Sequence, residues 1–391
     1  MLSLALAGKP NAGKSTFYRA ATMADADVGN YPFTTIDPNR GVSHVRAECP
    51  CLDREERCGN CRDGARYVPV ELVDVAGLVP GAHEGRGLGN QFLDALSNAD
   101  AILNVVDASG ATDAEGEPVE TGAYDPVEDV DFVEEELDLW LAGIVERNWE
   151  SVSRGSRAPD FDLEEALLAL LTDIGASDPE ATATLRAVEY PDSPEGWTAE
   201  DRERLARALR ERALPIVVVA NKADVAPEGN VERLREAAEY VVPATAEGEL
   251  ALRRADEAGL VRYRPGDPDF EVTGELSSEQ EAGLGQVRDV MGRFGGTGVQ
   301  TALDTAVYDL LDHLTAYPVE NDTRWTDGQG EMLPDALLLP RGSTPRDLAY
   351  AVHSDIGDGY IHAVDARASR RIGEDAELEE GAVIKIVSTA N

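Results

Sequence analysis

Residues 8–15 match G-x-x-x-x-G-K-[ST], the pattern of a loop that cradles phosphate. Gly8 and Gly13 let the backbone curl so that its N–H groups point inward at phosphate oxygens. A helix opening at Ser15 aims its positive end at the same point. Lys14 would neutralise the outer phosphates, and the Ser15 hydroxyl would sit on a magnesium ion. The cradle is assigned to Gly8, Lys9, Pro10, Asn11, Ala12, Gly13, Lys14, Ser15 and Thr16. Further on, an apolar run ending at Val73 is followed by Asp74 and, three residues later, Gly77. That pair suits a sensor of magnesium and the γ-phosphate, with Asp74 acting through water and Gly77 through its N–H. In the proline-bounded loop 31–38, Thr35 is expected to complete the magnesium shell, with Thr34 the second choice.

Asn221, Lys222 and Asp224 follow the apolar run Ile216–Ala220 and select the base. A carboxylate accepts from two neighbouring donors, and guanine offers them as its ring N–H and exocyclic amine. Adenine offers no such pair, so a site built on Asp224 rejects it by leaving a charge unpaired. The Lys222 stem would cover the base and Asn221 would tie the loops together. Thr245, Ala246 and Glu247 follow the next apolar run and are expected to place a backbone N–H on the base.

Four cysteines fall within one short segment, Cys49 and Cys51, then Cys58 and Cys61. Four thiolates this close would hold one tetrahedral zinc ion and order a charged loop. Redox-sensitive thiols, inert cysteines and an iron–sulfur cluster are the alternatives. A structural disulfide is disfavoured in a reducing compartment.

These residues need elements to hold them. The runs Leu2–Ala7, Val70–Val73, Ala101–Val106 and Ile216–Ala220 read as buried parallel strands with polar motifs at their carboxyl ends, the arrangement of an open α/β sheet. Residues 42–46 and 66–70 alternate like an antiparallel pair at one edge. Between them and the base-reading motif the character turns helical. Val133, Leu137, Trp140 and Ile144 share one helix face, Leu163–Ile174 is a second run, and Thr198 with Asp201 forms a capping box. The chain is expected to return to the sheet near Tyr240–Pro243. The glycine-rich stretch Gly292–Gly298 should introduce a helix over Ala302–Leu314. Ala336–Leu339 and Val383–Val387 read as strands flanking a helix started by Thr344 and Pro345. The expected division is a phosphate-loop domain over 1–112 and 214–262, a helical insertion over 113–213, a helical connector over 263–314 and a small α+β module over 315–391.

Taken together, the chain resembles the Obg-related GTPases and, within them, the YchF or Obg-like ATPase subfamily in its archaeal form. The match is carried by Gly8–Thr16, Asn30–Asn39 and Asp74–Leu93, and by Leu333–Asp347 through Ile384–Ile386, which looks like a TGS domain. The resemblance spans nearly the whole chain. It implies a Ras-like G domain, a ubiquitin-like β-grasp tail, magnesium, and a translation-associated role with ribosome or RNA contact through the tail. Bacterial and eukaryotic members carry glutamate at the base-reading position, which goes with ATP. Asp224 departs toward guanine, so GTP is the expected substrate, with ATP use or a slow nucleotide-gated switch as rivals. Many GTPases orient water with a glutamine after the sensor glycine, but here that position is Leu78. In related GTPases with asparagine in the phosphate loop, a potassium ion assists, which makes Asn11 a catalytic candidate beside Lys14, Thr35, Gly77 and His83.

The composition narrows the setting. Net charge is −40 over 391 residues, with four lysines (Lys9, Lys14, Lys222 and Lys385) among 35 basic residues. Three of the four lie in nucleotide motifs, where a compact charge on a flexible stem would meet phosphate or base. Such an acidic, lysine-poor surface is expected of a cytoplasmic protein from a salt-loving archaeon, where molar salt screens self-repulsion. It argues against DNA or a broad basic nucleic-acid face. No run approaches the length of a membrane span, and no targeting segment is visible, so the protein is placed in the cytoplasm.

Overall fold

The apolar run before the phosphate loop forms strand β1 (Ser3–Ala7), four of whose five residues are buried. The computed structural model describes residues 1–22, 40–75, 81–84, 98–156 and 160–389. The chain divides into two units, one comprising 3–18 and 73–248, the other 1–2, 19–72 and 249–391. Strand β2 (Arg40–Glu48) and most of β3 (Ala65–Asp74) belong to the second unit, while β3 delivers Val73 and Asp74 to the first.

In the first unit, β1 pairs in parallel with β4 (Ala101–Asp107), β4 with β5 (Ile216–Asn221), and β5 with β6 (Val241–Pro243). Every residue of β4 is buried, as expected of a parallel strand covered on both faces. The register sets Asp107 beside Asn221, so two polar side chains meet at the carboxyl end of the sheet. Largely apolar strands that end in Asp or Asn leave those polar groups where a ligand can reach them.

Between β4 and β5 run helices Val127–Gly155, Leu163–Asp173, Asp178–Ala187 and Ala199–Ala213. Val133, Leu137, Trp140 and Val145 face one core with Leu167, Leu171, Leu205 and Leu209. Thr198 and Asp201 close a reciprocal capping box, each satisfying an amide that the first helical turn would otherwise leave open. Asp138 accepts from both Arg207 and Arg210 at 2.9 Å, joining the first and last of these helices.

In the second unit, a helix covers Ser278–Phe294 and stops at Gly295, whose φ of +82° suits glycine at a helix end. The helix expected over Ala302–Leu314 is shifted. It runs from Val299, ends in a π-helical turn at Leu310, and gives way to strand β9 (His313–Val319). Asp312, at φ +47°, turns the chain out of the helix, and the residues after it pair edgewise instead. A short antiparallel pair, β7 (Val261–Arg262) and β8 (Glu271–Val272), precedes this region. The C-terminal sheet has the order β10-β9-β13-β11-β12, with β10 (Leu337–Pro340), β11 (Tyr360–Asp365), β12 (Arg370–Ile372) and β13 (Ala382–Ser388). Strands β9 and β13 are parallel at its centre, and the helix Pro345–Val352 opens on a Thr344–Asp347 capping box. Leu314, Leu339, Leu348, Ala363 and Ile384 form the module's core. Among the described residues, no helix is long and apolar enough to cross a membrane.

Candidate functional site

Both loop glycines stand where a side chain would not fit. Gly8 stands at φ +128°, and a Cβ there would lie 2.4 Å from the Val105 carbonyl oxygen. Gly13 stands at φ +102°, and its Cβ would lie 2.2 Å from Asn221 Nδ2. The helix Lys14–Thr22 starts directly after it. Lys14 is buried, and its ammonium donates to the Gly8 and Lys9 carbonyls at 2.9 and 2.8 Å. Burial pushes its pKa down to about 8, against the opposing pull of Asp74. A buried ammonium resting on carbonyl dipoles is ready to exchange them for phosphate oxygens. The Ser15 hydroxyl donates to Asp74 Oδ2 at 3.1 Å, so an alcohol and a carboxylate converge beside the loop. This all-oxygen pair fits a hard divalent cation such as magnesium. Thr16 is half-buried in the first helical turn.

Lys9 corrects one expectation. Its side chain turns away from the cradle, is fully buried, and pairs with Asp129 at 2.9 Å. The same ammonium donates to the Thr112 carbonyl at 2.8 Å and lies 3.9 Å from the centre of the Tyr124 ring. Lys9 therefore offers the cradle its backbone, while its charge joins the loop to the helix Val127–Gly155. Burial raises the Asp129 carboxyl to about 6, although Lys9 works to lower it.

Asn221 brackets two loops. Its Nδ2 donates to the Ala12 carbonyl at 2.9 Å, and its Oδ1 accepts from the Ala246 N–H at 3.1 Å. Ala246 thus spends its N–H on Asn221, while Thr245 Oγ1 accepts from the Gly248 N–H at 3.2 Å. Glu247 and Asp224 are exposed. Lys222, at φ +60°, donates to the Asn11 carbonyl at 2.9 Å and to Asp107 at 2.8 Å. Its stem thereby spans the gap between the cradle and the base-reading loop. Asn11 is exposed, and its Nδ2 donates to the Gly116 carbonyl at 2.9 Å.

His83 meets Glu136. One carboxylate oxygen lies 2.8 Å from His83 Nδ1 and accepts the His83 N–H at 2.9 Å, while the other accepts the Gly81 N–H at 2.6 Å. Thr34, Thr35, Gly77, Leu78 and most of the glycine-rich stretch after Asp74 lie outside the described residues. The four cysteines come together in the second unit, with their sulfur atoms all within 4.8 Å of one another.

Three acids that the motifs do not contain hold this arrangement. Asp107 is buried and accepts from Lys222, from the Ser109 N–H and hydroxyl, and from the Thr112 hydroxyl at 2.9 Å. Burial works to raise its pKa, but hydrogen bonds from Lys222, Ser109 and Thr112 hold it below the usual carboxylate range. A signal for it existed, since it closes an apolar strand like Asp74 does. Asp129 and Glu136 carried none, because both look like ordinary helix acids in a strongly acidic stretch.

Comparison with known proteins follows the same division of the chain. A family model described as a 50S ribosome-binding GTPase matches residues 3–134. The G4 motif-containing domain of Obg-like, YGR210-like GTPases matches 219–321, and a TGS domain matches 329–388. A GTP-binding protein of Methanocaldococcus jannaschii is 45% identical over 399 residues, covering 100% of both chains. The ribosome-binding ATPase YchF of Bacillus subtilis is 30% identical over 406 residues, with 98% of each chain covered. A crystal structure of a GTP-binding protein from Pyrococcus horikoshii OT3 superposes with a TM-score of 0.78 at 35% identity, covering 99% of this chain and 100% of that one.

Proposed function

Since the chain belongs to the YchF and Obg-like family of P-loop GTPases with a TGS domain, we propose that it binds GTP and hydrolyses it to GDP and phosphate. The observation that carries this reading is the Asn221 bracket, which couples Ala12 of the cradle to Ala246 and leaves Asp224 exposed beyond the end of β5. On this reading the backbone N–H groups of Gly8–Thr16, Pro10 apart, hold the phosphates, and Lys14 leaves its two carbonyls for the β- and γ-phosphate oxygens. Asp224 accepts from the guanine ring N–H and amine, and Lys222 covers the base.

Magnesium, held by Ser15, by Asp74 through water and by Thr35, would neutralise charge on the β- and γ-phosphates, and potassium beside Asn11 would add to this. Water attacks the γ-phosphorus, the bond to the bridging oxygen breaks, and the electron pair leaves with GDP. The attacking water's proton ends on the released phosphate. Gly77 would follow the γ-phosphate through its N–H. His83 is engaged by Glu136, and Leu78 cannot orient water, so unassisted turnover is slow. The TGS domain and the ribosome-binding family match support contact with the ribosome or its RNA.

ATP is the second reading, favoured by the likeness to the Bacillus subtilis ribosome-binding ATPase. Titration calorimetry in molar KCl, with GTP and ATP side by side and with and without Mg²⁺, separates them. GTP should bind far more tightly, and Asp224→Glu should cut that preference roughly 10–100-fold, the worth of one charge-assisted hydrogen bond. Tighter ATP binding, or a preference indifferent to Asp224→Glu, would defeat the guanine reading. Tight GTP binding without turnover would leave a switch rather than an enzyme.

A further inference from the structure

We propose that Cys49, Cys51, Cys58 and Cys61 bind one zinc ion, and that this ion fastens the loop between β2 and β3 onto the C-terminal module. The sulfur atoms of Cys49 and Cys58 lie 3.6 Å apart, as do those of Cys51 and Cys61, and all four fall within 4.8 Å. A tetrahedral zinc with Zn–S bonds of about 2.3 Å requires sulfur–sulfur edges of about 3.8 Å. The observed spacing brackets that value. All four cysteines are free, although disulfide bonding would bring each pair to about 2 Å. Iron–sulfur clusters spread their thiolates across several iron atoms and need a wider cage.

The local backbone is already shaped for an ion. The Cys49 N–H donates to the Gly64 carbonyl at 2.8 Å, which closes the base of the loop. Cys51 sits in a 3-10 turn, Pro50–Asp53. Gly59, at φ +77°, lets the chain fold back between Cys58 and Cys61, and the Asn60 N–H points at Cys58 Sγ from 3.4 Å. Cys49 and Cys51 are fully buried. The stretch between the two cysteine pairs, 52–57, is charged at five of its six positions, and its one apolar residue, Leu52, is exposed, so it has no core of its own to fold upon. An ion would supply the order that a hydrophobic core supplies elsewhere.

What the loop holds gives the ion its purpose. Asn60 Nδ2 donates to Glu331 Oε1 at 3.2 Å and to the Met332 carbonyl at 3.1 Å. Arg66 bridges the Asn60 carbonyl at 2.9 Å and the Pro334 carbonyl at 2.5 Å. Arg54 donates to the Thr323 carbonyl at 2.8 Å and lies over the Trp325 ring. Arg57, from the other side, donates to the Cys51 carbonyl at 2.7 Å. The segment 321–334 that enters the C-terminal sheet is thus seated on residues interleaved with the four cysteines.

The test uses the full-length protein expressed with zinc supplied and purified under reducing conditions. Elemental analysis should find one zinc per chain. After chelation, cobalt refilling should give the intense visible bands of a tetrahedral thiolate site. Hydrogen exchange in 52–62 and in 321–334 should speed up at least tenfold on metal removal and return on refilling. Cys58→Ser with Cys61→Ser, which spares the buried pair, should abolish metal uptake while GDP binding persists, showing that the chain is still folded. A zinc-free protein, iron in place of zinc, cobalt bands unchanged in the double variant, or exchange in 321–334 indifferent to metal would each overturn the proposal.

Discussion

Gly13→Ala should be strongly destabilising alone and much less so once Asn221 has been shortened. The new Cβ would meet Asn221 Nδ2 at 2.2 Å, and the residue would be held at φ +102°. The left-handed backbone costs an alanine about 1–2 kcal/mol. The clash is relieved only if Asn221 swings aside, which breaks its bonds to Ala12 and Ala246. Leaving a buried carbonyl and a buried amide without partners costs about 1–3 kcal/mol each. Gly13→Ala should therefore cost about 3–8 kcal/mol, and Asn221→Ala about 2–6 kcal/mol. The double variant pays for the lost bracket once, so Gly13→Ala in the Asn221→Ala background should cost only the backbone term of about 1–2 kcal/mol. Denaturant unfolding followed by tryptophan fluorescence measures all three, since Trp140, Trp149 and Trp197 lie in this unit. Gly8→Ala is the control: its Cβ meets the Val105 carbonyl, which Asn221→Ala does not move, so that pair should be additive. Additivity of Gly13→Ala with Asn221→Ala to within about 0.5 kcal/mol would refute the reasoning.

Nucleotide binding should take up protons at alkaline pH. Free Lys14 titrates near 8 because it is buried, and phosphate oxygens beside it would raise that value. Below about pH 7 the group is protonated with or without nucleotide, so the two states do not differ. As pH rises past 8, the free protein loses a proton that the complex retains, and affinity should fall by up to about tenfold per pH unit. Calorimetry at pH 8.5 in buffers of different ionisation enthalpy reads this uptake directly, and its absence would contradict the assignment of Lys14 to phosphate. Salt should also matter: with a net charge of −40, the thermal midpoint should climb steeply between dilute buffer and molar KCl. A midpoint indifferent to KCl would remove the reading of a salt-adapted surface.

The phosphate loop was legible because its chemistry is local: two glycines, a lysine and a hydroxyl within one turn of chain, flanked by a strand and a helix. The same holds for Asp74 and for Asn221 to Asp224, each placed by the strand it follows. Capping boxes at Thr198 and Thr344 could be read for the same reason, since three residues suffice to make them. The fate of Lys9 was hidden because its partner lies 120 positions on, in a helix rich in equivalent acids. Glu136 was hidden likewise, since nothing in its neighbours marks it as the acid that binds Gly81 and His83. The helix end before β9 was misplaced by the apolar residues Leu310, Leu311 and Leu314, which continue a helical pattern past the point where Asp312 breaks it. Periodicity records which faces are buried, but the left-handed turn that ends a helix at a non-glycine residue has no periodic signature.

Glu136 sits ten residues into a rod of 29 residues, with both oxygens occupied by the strip of chain that follows Asp74. Nineteen residues of helix extend beyond it, about 28 Å at 1.5 Å per residue. A tilt of about 5° at that latch would sweep the far tip through roughly 2.5 Å, a displacement on the scale of a helix shift at an interface. The rod is also gripped near its start, where Asp129 clasps Lys9. Two handholds about two turns apart make it a lever, and motion at either would be amplified at the remote end.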